Sequence, residues 1–187
     1  MRCNSLPGGV VRAVLFDARA ELPYNPALSP RPAASGRPLS VINSLLVICT
    51  GNICRSPMAA ALFSQRAQAH EHGLKVDSAG IAALVGSAPP DPVLALMKAR
   101  GLDVSGHRGQ QLTWELGARY NLFLVMEREQ QRYIERTWPL LKGRVHRLGE
   151  YRAADVFDPY GLPEKFYAQC LAQIEGYVGD WEERLFG

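Results

Sequence analysis

Short apolar runs alternate along this chain with longer stretches whose apolar residues recur at helical spacing. The clearest run, Leu45-Leu46-Val47-Ile48, predicts a buried strand over residues 44–49. A helix follows from residue 58 to about 72, with Ala60, Ala61, Phe63 and Ala67 at helical spacing and Gly73 as its C-cap. Residues 75–80 read as a short strand and 81–90 as a loop. Asp91 is the expected cap of a helix that opens at Pro92 and runs to about Arg100, apolar at Val93, Leu94, Leu96 and Met97, with Gly101 closing it. After a turn at Gly106-His107-Arg108, Thr113 caps a helix over residues 114–119. Residues 121–126 form another strongly apolar strand. Residues 127–138 read as a charged, exposed helix stopped by Pro139, and residues 144–148 as a half-basic strand suited to an edge. Residues 149–162 are a loop. Pro163 starts a last helix that buries Phe166, Cys170, Ile174, Tyr177, Val178 and Trp181. Strands alternating with helices predict an α/β fold, a doubly wound four-stranded parallel sheet with helices on both faces. Ligands of such sheets bind beyond the carboxyl ends of the strands, where strand order reverses.

Composition sharpens this picture at the N-terminus. Residues 1–40 carry six of the thirteen prolines, five arginines and two acids, whereas residues 41–187 hold 16 charges of each sign. The first 40 residues therefore read as an N-terminal extension, either disordered or the product of an upstream start codon, and residues 41–187 as one compact domain. The balanced charge of that domain argues against a nucleic-acid partner. No apolar run is long enough to insert into a membrane. Four cysteines without regular spacing make neither a disulfide framework nor, with four histidines in all, a zinc site; no metal or cofactor is expected. A reduced, cytoplasmic setting suits such a chain.

The chemistry concentrates in Cys49-Thr50-Gly51-Asn52-Ile53-Cys54-Arg55-Ser56-Pro57, which joins the first strand to the first helix. Pro57 suits a first helical turn, where its missing N–H costs nothing. The loop Thr50, Gly51, Asn52, Ile53, Cys54, Arg55 and Ser56 would aim backbone N–H groups and the positive helix end at one point, a cradle for phosphate. The planar fork of Arg55 matches a phosphate bidentately. Cys49 sits beneath that positive field, which favours a thiolate nucleophile. Taken alone, a cysteine at a strand end is most often an inert core residue. The strand-to-helix placement and the loop's Gly, Asn and Ser decide for catalysis.

With these residues the chain resembles the low-molecular-weight protein tyrosine phosphatases over roughly residues 43–186, including a late Asp158-Pro159-Tyr160 motif. The resemblance implies hydrolysis of phosphotyrosine through a cysteinyl-phosphate. Cys49 is the nucleophile, Arg55 stabilises the phosphoryl oxygens, and Asp158 acts as general acid and then base. Ser56 could donate a hydrogen bond to the Cys49 sulfur, the alternative being a helix cap, and the resemblance implies that Asn52, in a backbone conformation Asn tolerates, is tied to Ser56, Ser78 and His107 as scaffold. Ile53, Leu84 and Tyr160 would line the substrate pocket. Cys54, five residues from Cys49, could close a protective disulfide with it; the alternative is a buried helix-start cysteine.

Two further activities occur on the same fold. Arsenate reductases of this type use two more cysteines in mid-chain, and none lies between Cys54 and Cys170. Phosphoarginine phosphatases tend to carry Thr at the position of Ile53. Leu84-Val85-Gly86, and Gly161 after the Asp-Pro-Tyr motif, look like the bacterial branch. That branch acts on the tyrosine-rich tails of autokinases in capsule and exopolysaccharide production, so the expected partner is a phosphotyrosine protein, a bacterial tyrosine kinase tail.

Overall fold

The computed structural model describes residues 42–186, so the segment 1–40 set apart by its prolines lies outside the described residues. Four strands, β1 (Ser44–Cys49), β2 (Lys75–Gly80), β3 (Leu122–Val125) and β4 (Val145–Arg147), form one parallel sheet in the order β2-β1-β3-β4. Five α-helices connect and follow them: α1 (Arg55–Ala69), α2 (Asp91–Lys98), α3 (Trp114–Gly117), α4 (Arg128–Thr137) and α5 (Glu164–Leu185).

β1 and β3 are buried at every position, as the unbroken apolar runs of a parallel sheet covered on both faces require. Alternate side chains of a strand point to opposite faces. Leu45, Val47, Leu122 and Leu124 accordingly join the core under α1, α2 and α5, while Leu46, Ile48, Phe123 and Val125 join the core under α3 and α4. The chain leaves β1 for β2 on one side and later returns to β3 on the other. The carboxyl end of β1 is therefore the reversal point, and Cys49 is its last residue.

The edge position expected for the half-basic strand holds: β4 ends the sheet, and its Arg147 is buried against Asp155 (3.0 Å) and Glu150 (3.6 Å). Elsewhere the structure corrects the helix ends. α1 begins at Arg55, not Met58, so the last loop residues are already helical and Pro57 lies within the first turn. Its C-terminus is closed by Glu71 at φ 53°, with His72 N–H donating to Ala67 O, and not by Gly73. Asp91 is inside α2, whose cap is Pro90; its carboxylate therefore acts on the first-turn dipole, not as a cap. Gly101, at φ 72°, does close that helix. Thr113 caps α3 through the N–H of Leu116, though α3 ends at Gly117. At the start of α5 it is Tyr167 that is buried, while Phe166 is half-buried. Among the described residues no helix is long and apolar enough to cross a membrane.

Candidate active site

The loop after β1 is held from both sides. On its outer side the carbonyls of Cys49, Thr50 and Gly51 accept from the N–H groups of Ile81, Ala82 and Leu84, at 3.0, 3.1 and 3.0 Å. This extends the pairing of β1 with β2 past the end of both strands. Gly80 makes the close approach possible, since a Cβ there would lie 2.5 Å from Thr50 O. With its carbonyls so engaged, the loop ends in the first turn of α1, whose N–H groups have no intrahelical acceptor and whose dipole is positive.

Asn52 is the inner support. It adopts φ 57° and is wholly buried, and every polar atom it has is used. Its side-chain amide donates to Ser56 Oγ (2.8 Å) and Ser78 Oγ (2.9 Å), and its Oδ1 accepts from the N–H of Gln110 (2.9 Å). Its backbone O accepts from His107 Nε2 (2.7 Å), which fixes the imidazole proton on that nitrogen. Its own N–H donates to Cys49 Sγ (3.2 Å). The structure thus brings together Asn52, Ser56, Ser78 and His107, the four residues grouped from the resemblance. Ser56 Oγ, already accepting from Asn52, lies 3.0 Å from Cys49 Sγ with its hydroxyl proton free to donate. Two donors thus converge on a buried sulfur.

Arg55 is 2% exposed and bonded on three sides. Nη1 donates to Glu127 and to Val156 O (3.0 Å), and Nη2 donates to Asp158, 103 residues away in sequence. Burial alone would lower its pKa, but Cys49, Asp158 and Glu127 together hold it above the ordinary value. Asp158 is itself held by Tyr160, whose N–H donates to Oδ1 (3.1 Å) around buried Pro159. Ile53 and Leu84 meet beside Gly51, where an added Cβ would sit 3.7 and 3.8 Å from them. Tyr160 is 59% exposed. Thr50 is half-buried in the loop. Cys54 is buried in the core on the α1 and α5 face, and burial, with Cys49 nearby, pushes its thiol pKa up. The described cysteines Cys49, Cys54 and Cys170 are free thiols.

Sequence reasoning missed Glu127, placed in a solvent-facing helix. Its signal was positional: it lies just beyond the carboxyl end of β3, on the ligand-binding edge of the sheet. Gln110, which supplies the N–H that fixes Asn52 Oδ1, was missed because a backbone donor leaves no trace in residue type.

A profile described as low molecular weight phosphotyrosine protein phosphatase matches residues 44–186. The chain belongs to this family. It is 37% identical over 142 residues to the low molecular weight protein-tyrosine-phosphatase Ptp of Acinetobacter johnsonii, covering 76% of this chain and 97% of that relative. Its fold is similar to the tyrosine phosphatase Wzb of Escherichia coli K30 in complex with sulphate, with a TM-score of 0.72 and 32% identity over 77% of this chain and 99% of that one. It is also similar to the YwlE arginine phosphatase of Geobacillus stearothermophilus, with a TM-score of 0.70 and 30% identity over 76% and 92% of the two chains. As a family member the chain is a phosphatase, an enzyme that hydrolyses phosphotyrosine.

Proposed function

We propose that Cys49, Arg55 and Asp158 carry this hydrolysis through a cysteinyl-phosphate, with residues 50–56 cradling the phosphoryl group. Cys49 Sγ attacks phosphorus in line as the bond to the tyrosine oxygen breaks. Asp158, as a neutral acid, gives its proton to that leaving oxygen and becomes a carboxylate. A water then attacks phosphorus, its proton passes to Asp158, and the P–S bond breaks to return the thiolate and inorganic phosphate. Arg55 and the loop amides stabilise the charge that spreads over the equatorial oxygens. The observation that carries this reading is the guanidinium of Arg55, which lies in the cradle loop and bonds the Asp158 carboxylate directly. One buried cation thus links the nucleophile's loop to the acid. Asn52, Ser56, Ser78 and His107 serve as scaffold.

Ile53 and Leu84 give the pocket an apolar wall that suits a phenyl ring, which supports phosphotyrosine over phosphoarginine. The resemblance to the bacterial branch is the ground for taking a phosphorylated tyrosine-rich tail of a bacterial autokinase as the substrate, met in the cytoplasm. We assign the activity to residues 41–187, which contain the whole family match.

The test is phosphate release from phosphotyrosine, phosphoserine and phosphoarginine peptides, with the full chain and with residues 41–187, and with Cys49→Ser as control. Phosphotyrosine should be the preferred substrate of both. Cys49→Ser should abolish turnover while still binding phosphate, because the hydroxyl is too poor a nucleophile. A variant rate of even a tenth of wild type would point to another nucleophile.

A further inference from the structure

We propose that Gln130 is a positioning residue for Arg55, acting through Glu127, and that it sets how tightly the loop holds a phosphate group. The proposal rests on the reading of the Cys49–Arg55 loop as the phosphate site.

Gln130 lies in the first turn of α4, whose other side chains are exposed or half-buried except for Ile134, yet it is only 3% exposed. Burying an amide without partners is costly, and here each of its functional atoms has one. Oε1 accepts from the N–H of Met126 (2.9 Å), at the junction of β3 and α4. Nε2 has two hydrogens, and it donates to Thr50 Oγ1 and to Glu127 Oε1, both at 3.2 Å. That same Oε1 takes the hydrogen bond of Arg55 Nη1.

The Glu127 carboxylate is 37% exposed, so it would be free to rotate into water. The Gln130 amide supplies a second donor on the same oxygen and holds it toward the guanidinium. The contact with Thr50, the residue after the nucleophile, ties the start of α4 to the loop itself. Gln130 therefore joins the two supports of a bound phosphate, the loop and the arginine. A glutamine that merely filled space would matter for stability alone.

Gln130→Glu separates these roles. It keeps size and the acceptor for Met126 N–H but replaces the donor with an oxygen facing Glu127 Oε1. The charged groups of this network are Glu127, Arg55 and, beyond Arg55, Asp158. When ionised, the introduced carboxyl repels Glu127 and competes for Arg55; when protonated, its single O–H restores the donation to Glu127. On the full chain, inhibition by inorganic phosphate and kcat/KM for an aryl phosphate should each weaken about tenfold at about pH 7.5. Burial beside the Glu127 carboxylate raises the introduced group's pKa above the ordinary glutamate value, so both should return toward wild type at about pH 5.

Phosphate affinity is also read from the rise in melting temperature that phosphate produces. In an Arg55→Lys background the effect of Gln130→Glu on that affinity should fall to less than about twofold, since the partner through which it acts is gone. Gln130→Met, of similar volume, serves if the first variant does not fold, and should also weaken phosphate binding. Wild-type phosphate affinity in either folded variant, or an undiminished effect in the Arg55→Lys background, overturns the proposal. A wild-type chain that releases no phosphate from phosphotyrosine overturns the phosphatase reading instead.

Discussion

The loop of the proposed nucleophile, Cys49, and that of the proposed acid, Asp158, are built in opposite ways. Residues 52–56 are buried, Asn52 has no unused polar atom, and the carbonyls of residues 49–51 are tied to the segment after β2. The stretch from Phe157 to Pro163 is exposed except at Pro159, and Asp158 is 46% exposed. At its edge Val156 N–H donates to Met126 O, Cys170 donates to Phe157 O, and Gln173 accepts from the N–H of Phe157, while within it Asp158 accepts from Arg55 and from the N–H of Tyr160. The difference follows from the work of each side. A nucleophile and its anion cradle must be in place before charge develops, because donors that have to reorganise stabilise the transition state less. An acid that becomes a base within one cycle must exchange a proton with water and release Arg55 when phosphate takes its place. Enclosure would defeat it.

The strongest way to break this contrast is Asp158→Asn. Loss of proton donation should slow hydrolysis of phenyl phosphates with poor leaving groups by roughly 10²–10⁴-fold and leave activated ones nearly unchanged. Its melting temperature should stay close to wild type, since the carboxylate is part-exposed. Equal rate losses on both substrates would place Asp158 in the fixed frame with Asn52. The converse variant is Asn52→Ala. It strands Ser56, Ser78 and Gln110 N–H in a buried space and puts a non-Asn residue at positive φ, so it should cost about 3 kcal/mol and several degrees of melting temperature. Thermal melting of the two variants side by side checks both.

A smaller effect concerns Cys54, which belongs to the enclosed side. Peroxide converts the Cys49 thiolate to a sulfenic acid with release of hydroxide, and the Cys54 thiolate can then attack that sulfur and expel a second hydroxide. Burial raises the Cys54 pKa, so little thiolate exists at neutral pH and the fraction grows as pH rises. Disulfide closure should therefore be slow near pH 7 and accelerate by up to about tenfold per pH unit, without a plateau near the ordinary thiol pKa of about 8.5. Mass spectrometry of peroxide-treated protein at stepped pH measures it. A rate independent of pH would remove Cys54 from that role.

The enclosed side was the more legible in sequence. Residues 44–49 are an apolar run that only a buried strand explains, and the loop residues announce their chemistry by type. The grouping of Ser78 and His107 with Asn52 needed family resemblance, because contacts across 26 and 55 residues leave no local pattern. Glu127 and Gln130 were missed for another reason. Polar residues in a charged helix look solvated, and only the junction with β3 turns these two inward. Phe166 and Tyr167 show the limit of helical phase: with adjacent aromatics, a shift of one residue changes which is buried.

The bonding of Asn52 also bears on how the protein ages. Asparagine decays when the backbone nitrogen of the next residue attacks the side-chain carbonyl carbon, which requires the amide to swing toward it. Here both amide hydrogens and Oδ1 are pinned by Ser56, Ser78 and Gln110. The folded chain is thereby shielded from a lesion that would leave a buried carboxylate beside the nucleophilic sulfur. An unfolded chain has no such shield, and a molecule that spent long in that state would regain its sheet but not its catalyst.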